Sequence, residues 1–322
     1  QDHLGIDTHL IYSRWADPQT AQVKREGEYW QYYDEWGAGR RMPIQNGKYY
    51  DLFYSPLAGG DPEAKLKQLK MPDIDDPLRY RHLGAEAEQA RQSGRYVVLM
   101  GLCPGIVEMV SWLRGFEDFF SDLATEPKRI EMLLDILVEQ KIAYWQHALQ
   151  ETGDMVDAVN EADDLAGQHN LLLSPRIYRQ VSKPYHRRLY EGIRRASPHV
   201  KLILHSCGAI RSLIPDFIEL GIDALNPIQM TAKDMNLVSL KREFGKDLVF
   251  WGGGMDSQYM LAKGTPAEIE EHVRENITAL AGGGGFIFAP THIIQPDVPA
   301  EHIATMIKAF QRYASYQKDG MY

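Results

Sequence analysis

The sequence predicts an α/β fold in which strands and helices alternate and close into a single (β/α)8 barrel with a decorated N-terminal segment. In the second half of the chain, short apolar runs alternate with helical patterns, which is typical of βα units around a parallel sheet. At least five such units fall between Tyr96 and Ala289. The 322 residues suit one barrel with insertions, and no Ser/Gly/Pro-rich linker divides them. We therefore predict one domain over residues 1–322.

The predicted strands are short apolar runs bounded by turn residues or polar clusters. They cover residues 96–100, 155–159, 201–204, 222–225, 248–251 and 286–289. The N-terminal hundred residues are less regular, and many aromatic side chains fall between Tyr29 and Tyr54. We interpret this part as a decorated start of the barrel that contains a lid-like or substrate-facing segment.

Three segments show helix signals. Residues 126–150 repeat apolar side chains at spacings of three and four, and Gly153 follows as a stop signal. Thr265 and Glu268 form a capping box with Pro266 at the first helical position, which opens a helix toward residue 280. The pair at 174–175, Ser-Pro, predicts a similar helix start.

Composition and charge exclude several function classes. The net charge is −9, and the longest basic runs are Arg-Arg pairs, so no nucleic-acid partner is expected. No apolar run approaches the ~18 residues of a membrane span, so no membrane partner is expected. The only cysteines, Cys103 and Cys207, cannot build a disulfide scaffold, and we expect a cytoplasmic protein.

Polar side chains follow nearly every predicted strand. The carboxyl ends of the strands build the active site in parallel α/β barrels, so we expect these side chains to face a small-molecule substrate. Those expected to bind it are Gln168, Asn226, Gln229, Asp256 and Gln258. The alternative for each is an ordinary structural polar residue.

His205 and Cys207 form the sharpest motif. At positions i and i+2 after a strand, an imidazole and a thiolate can converge on one cation, and zinc accepts this mixture of ligands. His292, after the last predicted strand, is the candidate third ligand. The alternative is a buried cysteine beside a hydrogen-bonded histidine, with His292 facing substrate.

An acidic cluster follows the strand predicted at 155–159. Glu161, Asp163 and Asp164 could form a solvated loop or a charge cluster at a helix N-terminus. Alternatively, one carboxylate points into the barrel mouth as a metal ligand, a general acid or base, or a partner for a cationic intermediate. Adjacent residues of a regular strand face opposite sides, so we expect only one of Asp163 and Asp164 to point inward.

Several of these motifs also resemble the uroporphyrinogen decarboxylase superfamily, over about residues 30 to 315. They are the segments at 115–119, 163–168, 174–178, 183–185, 205–208, 252–256 and 289–299. The resemblance implies one of two activities. One is the metal-free decarboxylase of tetrapyrrole synthesis. The other is zinc-dependent methyl transfer between a small molecule or thiol and a corrinoid protein.

The decarboxylase branch carries an Arg-Gln-Ala-Gly-Arg signature near its N-terminus. Residues 38–41, Ala-Gly-Arg-Arg, match this signature only weakly and in a different setting. His292 does match the position of the decarboxylase-type histidine near the C-terminus. An acidic chain without the signature is a poor prospect for an octacarboxylate substrate. A decarboxylase of this kind would use Asp163 or Asp164 to stabilise a protonated intermediate.

The methyltransferase branch carries His-x-Cys-Gly, which is present at 205–208. Its second cysteine ligand would fall at His292. The resemblance therefore implies zinc held by His205, Cys207 and His292, completed by a carboxylate such as Glu161 or Asp163. The catalytic candidates are Asp163, Asp164 and His292.

We favour a zinc-dependent methyltransferase or demethylase that moves a methyl group between a small methylated compound and a corrinoid protein. The aromatic N-terminal segment would suit a methoxyaromatic substrate. The alternatives are a metal-free decarboxylase and a non-catalytic barrel that binds a ligand or a corrinoid protein. A homodimer is an alternative to a monomer.

Overall fold

A computed structural model describes residues 5–15 and 22–314. They form two compact units. The N-terminal unit comprises Asp7–Asp163 and Arg176–Val200, and the C-terminal unit consists mainly of Asp164–Pro175 and the chain from Lys201 onward. That residues 1–322 form a single domain stays a prediction.

The N-terminal unit contains three parallel strands in the order β1-β6-β7. They are β1 Thr8–Ile11, β6 Tyr96–Met100 and β7 Ala158–Ala162. Thr8 pairs with Tyr96, and Val98 pairs with Ala158. Val97, Val98 and Leu99 are all buried, which explains why β6 reads as a continuous apolar run rather than an alternating one.

The C-terminal unit contains four parallel strands in the order β8-β9-β10-β11. They are β8 Lys201–His205, β9 Ala224–Asn226, β10 Val249–Trp251 and β11 Phe286–Ile287. Ala224 pairs with Ile203 on one side and Val249 on the other, and Phe250 pairs with Phe286. Parallel strands that alternate with helices confirm the predicted α/β class.

Strand β7 begins three residues later than the sequence predicts. The long helix continues to Thr152, and the turn Gly153–Met155 occupies the start of the predicted strand at 155–159. The backbone N–H of Val97 donates to the Asp157 carboxylate at 2.7 Å, and the Asp157 N–H donates to the Val97 carbonyl at 3.0 Å. Ladder pairing then starts at Ala158, so Glu161 lies within β7 and not after it.

The irregular N-terminal segment contains a four-stranded antiparallel sheet in the order β2-β3-β4-β5. Its strands are β2 Lys24–Glu26, β3 Tyr29–Tyr33, β4 Gly39–Pro43 and β5 Asp51–Tyr54. The aromatic run of β3 has high strand propensity. This sheet is the decoration that the sequence predicted without specifying its structure.

The helices have the following bounds. They are α1 Pro62–Leu66, α2 Leu83–Gln92, α3 Ile106–Arg114, α4 Phe116–Thr125, α5 Pro127–Thr152, α6 Pro175–Ile177, α7 Lys183–Ala196, α8 Ile214–Glu219, α9 Leu237–Phe244, α10 Met260–Lys263, α11 Pro266–Leu280 and α12 Ala300–Tyr313. Both parts of the Thr265–Glu268 capping box are present at α11, as predicted. Within residues 5–15 and 22–314, no helix has the length and apolar character to cross a membrane.

Candidate functional site

Three potential metal ligands come together in the C-terminal unit. Asp164, His205 and Cys207 each offer one ligand atom, and these atoms all lie within 4.8 Å of one another. His205 is the last residue of β8, and Cys207 follows it by two positions. All three residues are partly exposed, so a small molecule could reach a cation bound there.

Asn226 fixes the orientation of His205. The two residues are register partners at the ends of β8 and β9, and His205 Nδ1 lies 2.6 Å from Asn226 Oδ1. The Asn226 amide NH2 donates to the Trp251 carbonyl at 3.2 Å, which leaves its Oδ1 as an acceptor toward the histidine. We therefore assign the imidazole proton to Nδ1. The Nε2 lone pair then faces Cys207 Sγ, 3.5 Å away.

The loop that carries Cys207 is held from two sides. Asp164 Oδ1 accepts the Cys207 backbone N–H at 2.7 Å, and Gln229 Oε1 accepts the Gly208 N–H at 2.7 Å. Gly208 has a φ of +90°, and a Cβ there would lie 2.6 Å from the carbonyl oxygens of Ala166 and Gly167. Only glycine fits this turn without displacing the backbone.

The chemistry of the three donors fits zinc. Zinc binds a thiolate sulfur, an imidazole nitrogen and a carboxylate oxygen, and catalytic zinc sites have three protein ligands and one open position. The carboxylate of Asp164 retains a second oxygen beside the one that accepts the Cys207 N–H. A set of one nitrogen, one sulfur and one oxygen also suits zinc better than magnesium or calcium, which prefer oxygen ligands alone.

Glu161, a predicted ligand, lies in the N-terminal unit, where both of its oxygens are engaged. Lys141 Nζ lies 2.9 Å from Oε2, and Trp145 Nε1 donates to Oε1 at 2.5 Å. Lys141 also donates to the carbonyls of Cys103 and Pro104 at 3.0 and 2.9 Å. Burial raises the pKa of Glu161, and the nearby Lys141 opposes that rise. A metal-binding role for Glu161 stays a prediction.

His292 is exposed in the loop after β11. The donor group found among the described residues contains Asp164 and does not include His292. The neighbouring Thr291 is buried, and its hydroxyl lies 2.9 Å from the Ser257 hydroxyl. The structure therefore pairs the loops after β10 and β11 through Thr291, and the predicted roles of His292 stay predictions.

The two adjacent aspartates have different surroundings. Asp163 is buried, and its carboxylate accepts the backbone N–H groups of Val107 and Glu108, each at 2.9 Å. His186 Nε2 lies 2.9 Å from Asp163 Oδ2. Because α3 has no capping side chain on Gly105, Asp163 satisfies the first N–H groups of that helix in its place. These contacts do not test the predicted catalytic role of Asp163, which stays a prediction.

The predicted substrate-binding residues fall into two sets. Asn226 and Gln229 contact the metal-ligand loop, as described above. Gln168 Nε2 donates to Gln258 Oε1 at 3.0 Å, and the Thr231 hydroxyl donates to the same oxygen at 2.9 Å. Asp256 is buried, and its carboxylate accepts the backbone N–H groups of residues 258 to 260. Substrate binding by these five residues stays a prediction.

Sequence reasoning missed Lys141 and His186. Lys141 interrupts the apolar stripe of α5, four residues after Leu137 and four before Trp145, and His186 lies three residues before Leu189 on the buried face of α7. A charged or titratable residue at a helix position otherwise occupied by apolar side chains indicates a buried partner. That signal was present in the sequence and could have identified both.

Comparison with known proteins agrees with the resemblance. The family model described as uroporphyrinogen decarboxylase (URO-D) matches residues 61–313. The uroporphyrinogen decarboxylase of Pectobacterium carotovorum is 26% identical over 268 residues, which cover 81% of this chain and 70% of the relative. That of Idiomarina loihiensis is 25% identical over 261 residues, which cover 78% of this chain and 68% of the relative.

A solved structure has the same fold. A methyltransferase from Methanosarcina mazei superimposes with a TM-score of 0.65 at 22% identity, covering 87% of this chain and 77% of that chain. At this identity the match shows the fold alone, and it confirms the α/β fold of the barrel class predicted from the sequence. Because the family model covers well over half of the sequence, the chain belongs to the uroporphyrinogen decarboxylase family.

Proposed function

We propose that this protein is a zinc-dependent methyltransferase or demethylase, which moves a methyl group between a small methylated compound and a corrinoid protein. The observation that carries the proposal is the convergence of Asp164, His205 and Cys207 within 4.8 Å. A decarboxylase that works without metal has no need of a thiol, an imidazole and a carboxylate in this arrangement. A protein named as a methyltransferase has the same fold, so the fold is compatible with this reaction.

Asp164, His205 and Cys207 would hold the ion. Zinc bound there would supply Lewis acidity, which stabilises negative charge on an oxygen or sulfur of the reactants. The chain's own residues prepare the site: Asn226 orients His205, and Gln229 and Asp164 fix the backbone on either side of Cys207. Such outer hydrogen bonds hold ligands in place and increase their basicity.

The remaining parts of the proposal concern partners and substrate. A corrinoid protein would accept or supply the methyl group, and Gln168 and Gln258, at the ends of two loops of the same unit, would contact the small molecule. The catalytic candidates are Asp163, Asp164 and His292. A cytoplasmic location is consistent with Cys103 and Cys207, neither of which is in a disulfide, since reducing compartments keep thiols reduced.

Methyl transfer to cob(I)alamin tests the activity. Purified protein is loaded with zinc and incubated with a methoxylated benzene derivative and free cob(I)alamin under anaerobic conditions. We expect methylcob(III)alamin and the corresponding phenolate to form together, as followed by absorbance and chromatography. The Cys207→Ser variant should be inactive and the Cys103→Ser variant active. Equal rates for the two variants would rule out a role for the cysteine ligand.

A metal-free decarboxylase is the second candidate, because the matched relatives carry that name. It predicts release of carbon dioxide from uroporphyrinogen at a rate that chelators leave unchanged. Decarboxylation by chelator-treated protein, with no methyl transfer by the zinc-loaded protein, would replace the first proposal by the second. Tight ligand binding without either reaction would instead support the non-catalytic barrel.

A further inference from the structure

Three polar side chains from separate loops of the C-terminal unit form one hydrogen-bonded cluster. Gln168 lies in the segment after β7, Thr231 in the loop after β9, and Gln258 in the loop after β10. Gln258 Oε1 accepts hydrogen bonds from Gln168 Nε2 at 3.0 Å and from the Thr231 hydroxyl at 2.9 Å. One acceptor therefore serves two donors, and neither neighbour donates to the side-chain carbonyl of Gln168.

This carbonyl oxygen is buried. Within residues 5–15 and 22–314, Gln168 Oε1 has no hydrogen-bond partner. A buried acceptor without a donor costs about 1–3 kcal/mol, which a ligand that supplies the donor can recover. The position therefore favours a bound group that carries an O–H or N–H.

The amide orientation in this cluster follows from the same accounting. If both amides were reversed, Gln258 Nε2 would donate to Gln168 Oε1 and to the Thr231 oxygen. Gln168 would then bury an NH2 group without an acceptor. Buried N–H groups without partners are rarer in proteins than buried carbonyls without partners. We therefore assign the outer atom of the Gln168 amide as the oxygen.

The backbone at Gln168 is fixed beside the loop that carries Cys207. The Ala209 N–H, two residues after Cys207, donates to the Gly167 carbonyl at 2.9 Å, and the Lys233 N–H donates to the Gln168 backbone carbonyl at 2.9 Å. All of these residues belong to the C-terminal unit. Gln168 is therefore held next to the candidate metal ligands without being one of them.

The cluster has an exposed side. Thr231 and Gln258 are exposed, and Gln168 is partly exposed although its Oε1 is buried. A small molecule can therefore approach the amide from that side. The amide is uncharged and its oxygen only accepts hydrogen bonds, so the position suits a neutral hydroxyl group and offers nothing to a carboxylate.

We propose that Gln168 selects substrates that carry a free hydroxyl group. Its Oε1 accepts the hydrogen bond of that hydroxyl, so the methyl donor is a methoxyphenol and not an arene whose oxygens are all methylated. A site that accepts such a hydrogen bond rejects the analogue without the hydroxyl, because its own carbonyl is then left unpaired. The inference rests on the proposed function for the reaction, but the hydrogen bond itself requires no methyl transfer.

Calorimetric titration of the whole zinc-loaded protein, and of the chelator-treated protein, tests the selection. The probes are 2-methoxyphenol, 1,2-dimethoxybenzene, in which a second methoxy group replaces the hydroxyl, and methoxybenzene, which lacks it. We expect 2-methoxyphenol to bind about tenfold more tightly than either ether, because only it donates to Gln168. Equal affinities, tighter binding of 1,2-dimethoxybenzene, or no saturable binding of 2-methoxyphenol at millimolar concentration would each overturn the proposal.

Matched variants assign the preference to Gln168. Gln168→Leu should weaken 2-methoxyphenol binding about tenfold and leave methoxybenzene binding unchanged. Gln168→Glu keeps an oxygen at the position and should retain the preference for the hydroxyl. Gln180→Leu is the control, since Gln180 is exposed in the N-terminal unit. If Gln168→Leu fails to fold, Gln168→Met replaces it.

Zinc content and kinetics distinguish this role from a structural one. Zinc per chain should be the same in the Gln168→Leu and Gln180→Leu variants, and the Gln168→Leu variant should show a KM for 2-methoxyphenol about tenfold higher with little change in kcat. An unchanged preference for the hydroxyl in Gln168→Leu would refute the assignment.

The two proposals can fail separately. Selective binding of 2-methoxyphenol without methyl transfer would leave the role of Gln168 standing and remove the proposed function. Methyl transfer from all three compounds, with equal affinities, would do the reverse.

Discussion

Gly105 shows how closely single residues are constrained around the start of α3. A Cβ at this position would lie 2.1 Å from Asp163 Cγ and 2.2 Å from the Ala162 carbonyl oxygen. Asp163 can reach the N–H groups of Val107 and Glu108 only because position 105 has no side chain.

We expect Gly105→Ala to lower the free energy of unfolding by about 1–3 kcal/mol, because the added methyl overlaps atoms that cannot move freely. Gly282→Ala is the matched control, since a Cβ there meets nothing within 4 Å. Urea unfolding of both variants measures the difference. A stability loss no larger at Gly105 than at Gly282 would mean that the Asp163 cap is absent in solution.

At the residue scale, the sequence predicted the pairing of His205 with Cys207 because i,i+2 spacing after a strand restricts where both side chains can point. It did not predict Asp164 as their companion. Which of Glu161, Asp163 and Asp164 can act as a metal ligand depends on which carboxylates already have other hydrogen-bond partners. Lys141 and His186, which engage the first two, come from distant helices that local spacing does not place.

At the scale of elements, α5 is joined to β7 by a buried ion pair. The side chains of Lys141 and Glu161 are 0% and 2% exposed. Lys141 also donates to two backbone carbonyls, and Glu161 also accepts a hydrogen bond from Trp145. Removal of one member leaves the other as an unpaired buried charge, which is more costly than loss of both.

We therefore expect Lys141→Met to destabilise the protein by about 3–5 kcal/mol. The double variant Lys141→Met/Glu161→Gln should lose clearly less than the sum of the two single variants. A double-mutant cycle of urea unfolding gives the coupling energy between the two positions. Additive losses would show that the ion pair does not form in the folded protein.

The loop after β10 is connected to α11 by a histidine. The backbone N–H of Asp256 donates to His272 Nε2 at 3.3 Å, which requires an unprotonated nitrogen. Burial lowers the pKa of His272, and the nearby Asp256 and Glu275 partly oppose this. The pKa of His272 is about 6.5 in the unfolded chain and lies below that value in the folded protein.

The stability of the folded protein therefore depends on pH through His272. Below about pH 6.5 the unfolded chain takes up a proton at His272 that the folded chain resists, so stability falls as the pH falls. The His272→Gln variant lacks this contribution. We expect the melting temperature of the wild type to drop more than that of the variant between pH 7.5 and pH 5.5. Parallel curves would show that His272 titrates normally.

Periodicity predicted most elements, but not all of their ends. Helix α11 begins at its capping box, as the sequence indicated, because that signal is local. The start of β7 was misplaced, because the contact of Asp157 with Val97 fixes it across the sheet. The four strands of the antiparallel sheet were not predicted. Their aromatic residues do not alternate with polar ones, so the sequence shows no polar face that would mark a strand.

At the scale of the whole molecule, the α/β class and the family could be predicted from the order of short motifs along the chain. The family alone does not decide between methyl transfer and decarboxylation, because both reactions occur on related barrels. In our proposal, the group formed by Asp164, His205 and Cys207 separates them. The account therefore depends on whether these three residues bind a metal ion.

Metal content is the measurement that tests this most directly. Wild-type protein, Cys207→Ser and Cys103→Ser are incubated with zinc under reducing conditions, desalted and analysed by inductively coupled plasma mass spectrometry. We expect about one zinc per chain in the wild type and in Cys103→Ser, and little in Cys207→Ser, since loss of one of three protein ligands weakens such a site strongly. Absence of zinc from the wild type, or equal zinc in the two cysteine variants, would contradict the account.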